Sequence, residues 1–445
     1  MGSSDARGLG VLDASLIVVG SIVGAGIFLV SPYVAQDVRS PAAFLAAWLL
    51  GGVVALSGAL SNGELGGLFP RSGGEYVYLR EAYGPGLGFL SGWTSFWIAF
   101  PGSIAALAAG FGGALAAMLG IASKSAPTEI GAAAIVVLTL VNSLGVRTGR
   151  WTQNTLSAAK LAAFAVLLGL GLLVRRQGWG GLSPFFVAGD QASGIASALV
   201  PVLFAYSGWN AATYVTGEMR DPARGLGRAL VLGTAVCVVL YLAINVAYLR
   251  AMPLAELAKA TDPARATAVR LGGGAAGGLL SPLVAVCVLS SLQATVLVGP
   301  RVYHAMAIDG VFFRPLGRLH ANTGAPVVAL GVQGVIAVVE LVTGRFDQLL
   351  AFAMFAIVSF SIFTTFAVFV LRVRRPSAAR PFRVPGYPFV PGLFVAVNAW
   401  VLWNVFDYGG AQGHRAALYG LGIVATGVPA YVAFRSRNHP QETAR

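Results

Sequence analysis

Charge is scarce in this chain. Only 11% of its 445 residues are Asp, Glu, Lys or Arg, against about 25% in a soluble domain, which excludes an ordinary water-soluble core. Cysteine is scarcer still: Cys237 and Cys287 both lie inside apolar runs, so they read as small buried hydrophobes rather than zinc ligands or an external disulfide. No G-x-x-x-x-G-K-[ST] loop, metal-ligand cluster or large polar block is present, so ATP-driven pumping and enzymatic turnover find no support and neither cofactor nor metal is expected. A cleaved signal peptide is not expected either, because a single early arginine precedes a long apolar run with no small-residue cleavage site.

What the chain has is apolar length. Hydrophobic residues make up 56% of it, and mean hydropathy is +0.75. Apolar runs of roughly 18 to 30 residues recur about twelve times, starting near Ala14, Pro41, Pro85, Ile130, Thr152, Gly194, Gly227, Gly277, Pro326, Gln348, Phe389 and Ala416. One all-α integral membrane domain over 1–445 is the reading. An even number of spans puts both termini on one side. Arginines such as Arg71, Arg80, Arg147, Arg150, Arg220, Arg224, Arg314, Arg372, Arg375 and Arg435 fall in alternate loops or at the termini, which marks that side as cytoplasmic. Arg175 and Arg176 fit this pattern worst. The net charge of +13 sits beside membrane spans, where it orients the chain, and does not indicate nucleic acid.

Two runs are weak in the middle. The first divides at Gly24-Ala25-Gly26, and Gly costs a helix about 1 kcal/mol relative to Ala. Alone, such glycines also suit close packing of a neighbouring helix. The sixth run, "PVLFAYSGWNAATYVTGEMRDP", is interrupted by Ser207-Gly208-Trp209-Asn210. Non-helical backbone at membrane depth is tolerated only where it lines a cavity or is buried in protein. Breaks in the first and sixth spans match an inverted repeat of five plus five helices with a site between the breaks. The repeats would cover 9–176 and 193–372, with two additional helices over 389–436. A half-helix beginning after Gly26 offers N–H groups to a carboxylate, and one ending before Ser207 offers carbonyls to an ammonium. An α-amino acid carries both groups.

The segments "GSIVGAGIF", "LGGLFPRSGGEYVYLREAYGPGLGFLSGW", "FAYSGWNAATYVTGEMRDPARGLGRAL", "GPRVYHAMAIDGVFF" and "RPFRVPGYPFVP" resemble the amino acid-polyamine-organocation superfamily, near bacterial relatives of the L-type amino acid transporters. The resemblance runs from Leu9 to about Pro391. It implies a LeuT-type fold, an α-carboxylate on Gly24, Ala25 and Gly26, and an α-amino group on carbonyls near Phe204, Ala205 and Ser207. Phe204 also resembles an aromatic gate. Asn210, Tyr241 and Asn245 match positions that line or brace the pocket; local packing for Tyr241 and a helix–helix hydrogen bond for Asn245 are the structural alternatives.

Lys160 is the one lysine inside a span, and an intramembrane ionisable group is a functional hypothesis by default, with snorkelling as the alternative. The resemblance places it where LeuT-type symporters hold a second sodium ion, touching Ser290 or Ser291. A fixed cation there argues against sodium coupling, whereas a depressed pKa would allow proton coupling. No acid lies near the middle of runs one, three, six, eight or ten, which favours neutral substrates. Glu64 and Glu218 sit at cytoplasmic ends beside arginine-bearing loops, as ion pairs or as solvated end charge. The loop "GIASKSAPTE" lacks the cysteine that animal L-type transporters use to hold a heavy chain, so no disulfide-linked partner is expected. The sequence therefore points to an exchanger of neutral L-α-amino acids in a bacterial inner membrane, working by alternating access. A proton-coupled symporter is the alternative, with a sensor or a channel behind it.

Overall fold

The computed structural model describes residues 8–24, 26–173, 182–187, 192–344, 346–408 and 410–438. Ala25, Arg175 and Arg176 lie outside them. The described residues form helices and turns without a strand; one isolated bridge pairs Leu9 with Met219.

The first apolar run forms α1 (Val11–Ile22) and α2 (Gly26–Asp37). Next come α3 (Pro41–Leu68), the short α4 (Glu75–Tyr83), α5 (Pro85–Thr94) and α6 (Phe100–Met118). The last two form one continuous rod through a π-helical turn at Ser95–Ala99. Then follow α7 (Ala126–Ser143), α8 (Val146–Leu173), α9 (Ala192–Ala205), a 3-10 turn at Ala211–Glu218, and α10 (Pro222–Ala251). Two short helices, α11 (Leu254–Leu257) and α12 (Pro263–Gly272), lead to α13 (Gly274–Val298) and α14 (Pro300–Ile308). The chain finishes with α15 (Val327–Thr343), α16 (Phe346–Arg374), α17 (Phe389–Tyr408) and α18 (Gly410–Asn438).

Local chemistry starts several of these. Ser40-Pro41, Asp221-Pro222 and Asp262-Pro263 each put a capping side chain before a proline at the first helical position. The cap oxygens accept from Ala43 N (3.1 Å), Arg224 N (3.4 Å) and Arg265 N (2.9 Å). Helices therefore begin a few residues before the apolar runs do: α10 starts at Pro222 rather than near Gly227, and α8 at Val146 rather than near Thr152.

Seven helical stretches among the described residues are long and apolar enough to cross a membrane, and four shorter apolar helices accompany them. In α8, Arg147, Arg150 and Asn154 lie in the first half and Lys160 at the middle. Packing among the described residues forms three large apolar centres and a small fourth of Leu79, Ala356 and Phe360. The largest joins α1, α2, α3, α9 and α10. A second gathers α4, α5, α14 and α16, and a third α6, α7, α13 and α15. Both interrupted helices belong to the first centre.

Candidate functional site

At the first break α1 stops at Ile22, Val23 leaves helical geometry (φ −80°, ψ 82°), Gly24 bends, and α2 starts at Gly26. A helix end leaves carbonyls without intrahelical partners. Here side chains from two other helices take them. Lys160 Nζ, from α8, donates to Gly20 O (3.0 Å), to Val23 O, and to Ser291 Oγ of α13 (3.2 Å). Ser291 Oγ also lies 2.8 Å from Gly20 O and 3.1 Å from Val23 O, within donating distance of either. The frayed end of α1 is thus tied to α8 and α13 by one ammonium and one hydroxyl. Ser290, the other candidate, does not share in this; its buried hydroxyl has no hydrogen-bond partner among the described residues.

At the second break α9 ends at Ala205 and the chain turns through 206–210 before the 3-10 segment. Gly208 makes that turn at φ +100°, a conformation costly for residues with a Cβ. A Cβ there would sit 2.9 Å from Ser21 Cβ. At Gly26 a Cβ would sit 3.2 Å from Ala205 Cα. The two interruptions therefore pass within backbone contact of each other, and glycine permits the approach.

Tyr241 of α10 joins them. Its buried hydroxyl lies 2.8 Å from Ile22 O and 3.1 Å from Ala205 O, and can donate to either. Asn245, one turn on, donates to Tyr241 O (2.7 Å) and accepts from Ser31 Oγ of α2 (2.9 Å). Tyr241 and Asn245 are both fully buried, so they brace the breaks. The expectation of free carbonyls at the end of α9 is corrected in part: Ala205 O accepts from Tyr241, and Phe204 O accepts from Ser207 N (3.0 Å).

Beside the second break lies a cavity of 440 Å³ between α9, α16 and α17. Phe204, Ser207 and Asn210 line it, with Ser361 of α16 and Phe394 and Asn398 of α17 opposite. Its size falls in the ~300–1,000 Å³ range of small-molecule sites. Phe204, in this lining, is 45% exposed. Gly24, Gly26, Tyr241 and Asn245 are not part of its lining.

A family model described as amino acid permease matches residues 9–426. The chain belongs to this family. The permease is 32% identical over 435 residues to the serine/threonine exchanger SteT of Bacillus subtilis (strain 168), covering 96% of this chain and 97% of that protein. To the b(0,+)-type amino acid transporter 1 of Mus musculus it is 31% identical over 402 residues, 88% of this chain and 81% of that one. To the human Asc-type amino acid transporter 1 it is 30% identical over 438 residues, 95% and 81%. These proteins are transporters and not enzymes, and the permease is a multi-pass membrane protein.

Sequence reasoning missed one acid in the permease. Glu75, at the start of α4, is 7% exposed, and its Oε1 accepts from Asn210 Nδ2 (3.2 Å) and Ser361 Oγ (2.9 Å), two cavity-lining groups. A scan confined to the middles of the runs passes over it, because the chain turns back at Gly73 and Gly74, both with positive φ, and carries Glu75 inward.

Glu64 and Glu218 are ion-paired rather than solvated. Glu64, 1% exposed at the end of α3, takes a two-point contact from Arg372 (2.9 and 2.6 Å) and the Val384 N–H (2.8 Å). Arg380 Nε lies 3.2 Å from Glu64 Oε1, close enough for an ion pair though not aligned as a hydrogen bond. Glu218 pairs with Arg301 (2.8 Å), and its backbone O accepts from Leu9 N (3.1 Å).

Proposed function

We propose that this permease moves neutral L-α-amino acids across a bacterial cytoplasmic membrane by alternating access, as an exchanger. Twelve spans with both termini cytoplasmic, two inverted five-helix repeats over 9–176 and 193–372, and a pair of extra helices over 389–436 complete the proposal. The carrying observation is the contact of two interrupted helices, Gly26 against Ala205, beside a cavity of small-ligand size. Broken helices in paired positions are where transporters place their substrate. The similarity to a serine/threonine exchanger across nearly the whole of both chains supports exchange. Lys160 supports it too: a cation held by carbonyl oxygens from the broken helix occupies the space a coupling sodium ion would need. Chain organisation supports work without a disulfide-linked partner, since Cys237 and Cys287 are both buried.

Uptake of labelled alanine and leucine into proteoliposomes tests this. Vesicles preloaded with unlabelled amino acid should take up label, and empty vesicles with an inward proton gradient should not. Accumulation in empty vesicles driven by that gradient makes the protein a symporter; current without saturation makes it a channel, and binding without uptake a sensor.

A further inference from the structure

Glu75 is a buried carboxyl without a cation. More than nine-tenths of it is shielded, and among the described residues no Lys, Arg or His pairs with it. The titratable groups electrostatically coupled to it are two phenols, Tyr78 on its own helix and Tyr214 on the 3-10 turn. Asn210 and Ser361 are the groups that touch it, and both donate to the same oxygen, Oε1. A carboxylate only accepts, so it obliges the Asn210 amide to turn Nδ2 toward it and Ser361 to turn its O–H the same way. Asn210 Nδ2 is further shared with Tyr214 OH (3.2 Å). The remaining polar capacity of these two cavity-lining side chains, the Asn210 Oδ1 and the Ser361 lone pairs, is acceptor in character. The wall so presented suits a donor, and the uncompensated charge behind it favours a cation in the adjoining space.

We infer that Glu75 is the positioning residue for the ammonium group of the bound amino acid, a negative charge one side chain removed from the cavity that acts through Asn210 and Ser361. The inference rests on the transport reading above. Phe204 and Ser207, at the end of α9, line the same cavity, so the ammonium would meet the break of α9 on one side and the Glu75-oriented pair on the other. α4 lies between spanning helices, and burial there pushes the Glu75 carboxyl up to about 7. Around pH 8 it is ionised and holds the acceptor wall; around pH 6 it is largely neutral and the charge is gone.

The experiment is alanine exchange in preloaded proteoliposomes, with KM and maximal rate measured from about pH 6 to 8 for wild type, Glu75→Gln and Glu75→Asp. Wild-type KM should fall as pH rises through about 7. Glu75→Gln should raise KM about tenfold at pH 8, act on KM rather than maximal rate, and leave KM flat with pH. Glu75→Asp, which keeps the charge, should restore part of the pH dependence. A role confined to packing would leave the wild-type profile flat and would lower the amount of folded transporter instead. The inference is overturned if wild-type KM does not change over this range, or if Glu75→Gln keeps the wild-type KM and slope. Should Glu75→Gln fail to give monodisperse protein, the wild-type and Glu75→Asp profiles decide. Absence of alanine exchange by wild type at every pH would sink the transport reading itself, an outcome distinct from a pH-independent KM.

Discussion

Replacing Lys160 by methionine separates what this ammonium does for folding from what it does for transport. The side chain is fully buried and makes three contacts, to Gly20 O, Val23 O and Ser291 Oγ. Hydrogen bonds from a charged donor are worth about 1.5–3 kcal/mol each, so three amount to about 5–9 kcal/mol. Taking an ammonium out of water costs several kcal/mol even after relaxation, which offsets most of that gain. Methionine has a similar length and no charge to bury. Ser291 Oγ stays within reach of both carbonyls, although its single proton serves one at a time. Lys160→Met should therefore shift unfolding by less than about 2 kcal/mol. Transport should suffer far more, because the end of α1 loses its shared tie to α8 and α13; a fall of at least about tenfold in exchange rate corresponds to about 1.4 kcal/mol of lost linkage. The assay pairs a thermal melt of purified protein in detergent with initial exchange rates at matched protein density. Wild-type exchange in Lys160→Met would refute the reasoning, as would a melt showing several kcal/mol of destabilisation.

Three further substitutions probe the breaks and the ion-paired end. Gly26→Val places a branched Cβ against Ala205 Cα at 3.2 Å, where backbone cannot yield; uptake should be abolished while gel filtration still shows a single folded species. Tyr241→Phe removes the hydroxyl shared by Ile22 O and Ala205 O and should cost about 1–2 kcal/mol, read as a lower melting point accompanied by slower exchange. Glu64→Gln leaves Arg372 and Arg380 facing a neutral amide at a site 1% exposed; breaking a buried pair in this way costs about 3–5 kcal/mol, and an unchanged denaturation midpoint would contradict it.

Much of the architecture was legible because membrane insertion demands apolar length and backbone self-sufficiency, both of which are written locally. The breaks at Gly24 to Gly26 and at Ser207 to Asn210 could be placed to within a residue or two because glycine and polar residues within an apolar run have few other uses. Helix starts were read late, since caps such as Asp221-Pro222 stand outside the apolar stretch. The π-helical turn at Ser95–Ala99 and the helix α12 in the connection between α10 and α13 were not read at all. Neither changes hydrophobic periodicity enough to be noticed. Of the site, Lys160 was conspicuous by its charge, but Ser290 and Ser291 are adjacent in sequence and only the helix's rotation distinguishes them. Glu75 was missed for the opposite reason: nothing near it in sequence reveals that a segment between two spans folds back to meet α16.

The Tyr241 hydroxyl has one proton within reach of two carbonyls, one from each interrupted helix. A single hydrogen shared this way acts as a clasp common to the two breaks. Losing either carbonyl hands the proton wholly to the other and costs the phenol little, whereas losing both leaves a buried hydroxyl without an acceptor. The last of the two ties is therefore the expensive one to release, and α10 keeps hold of at least one break.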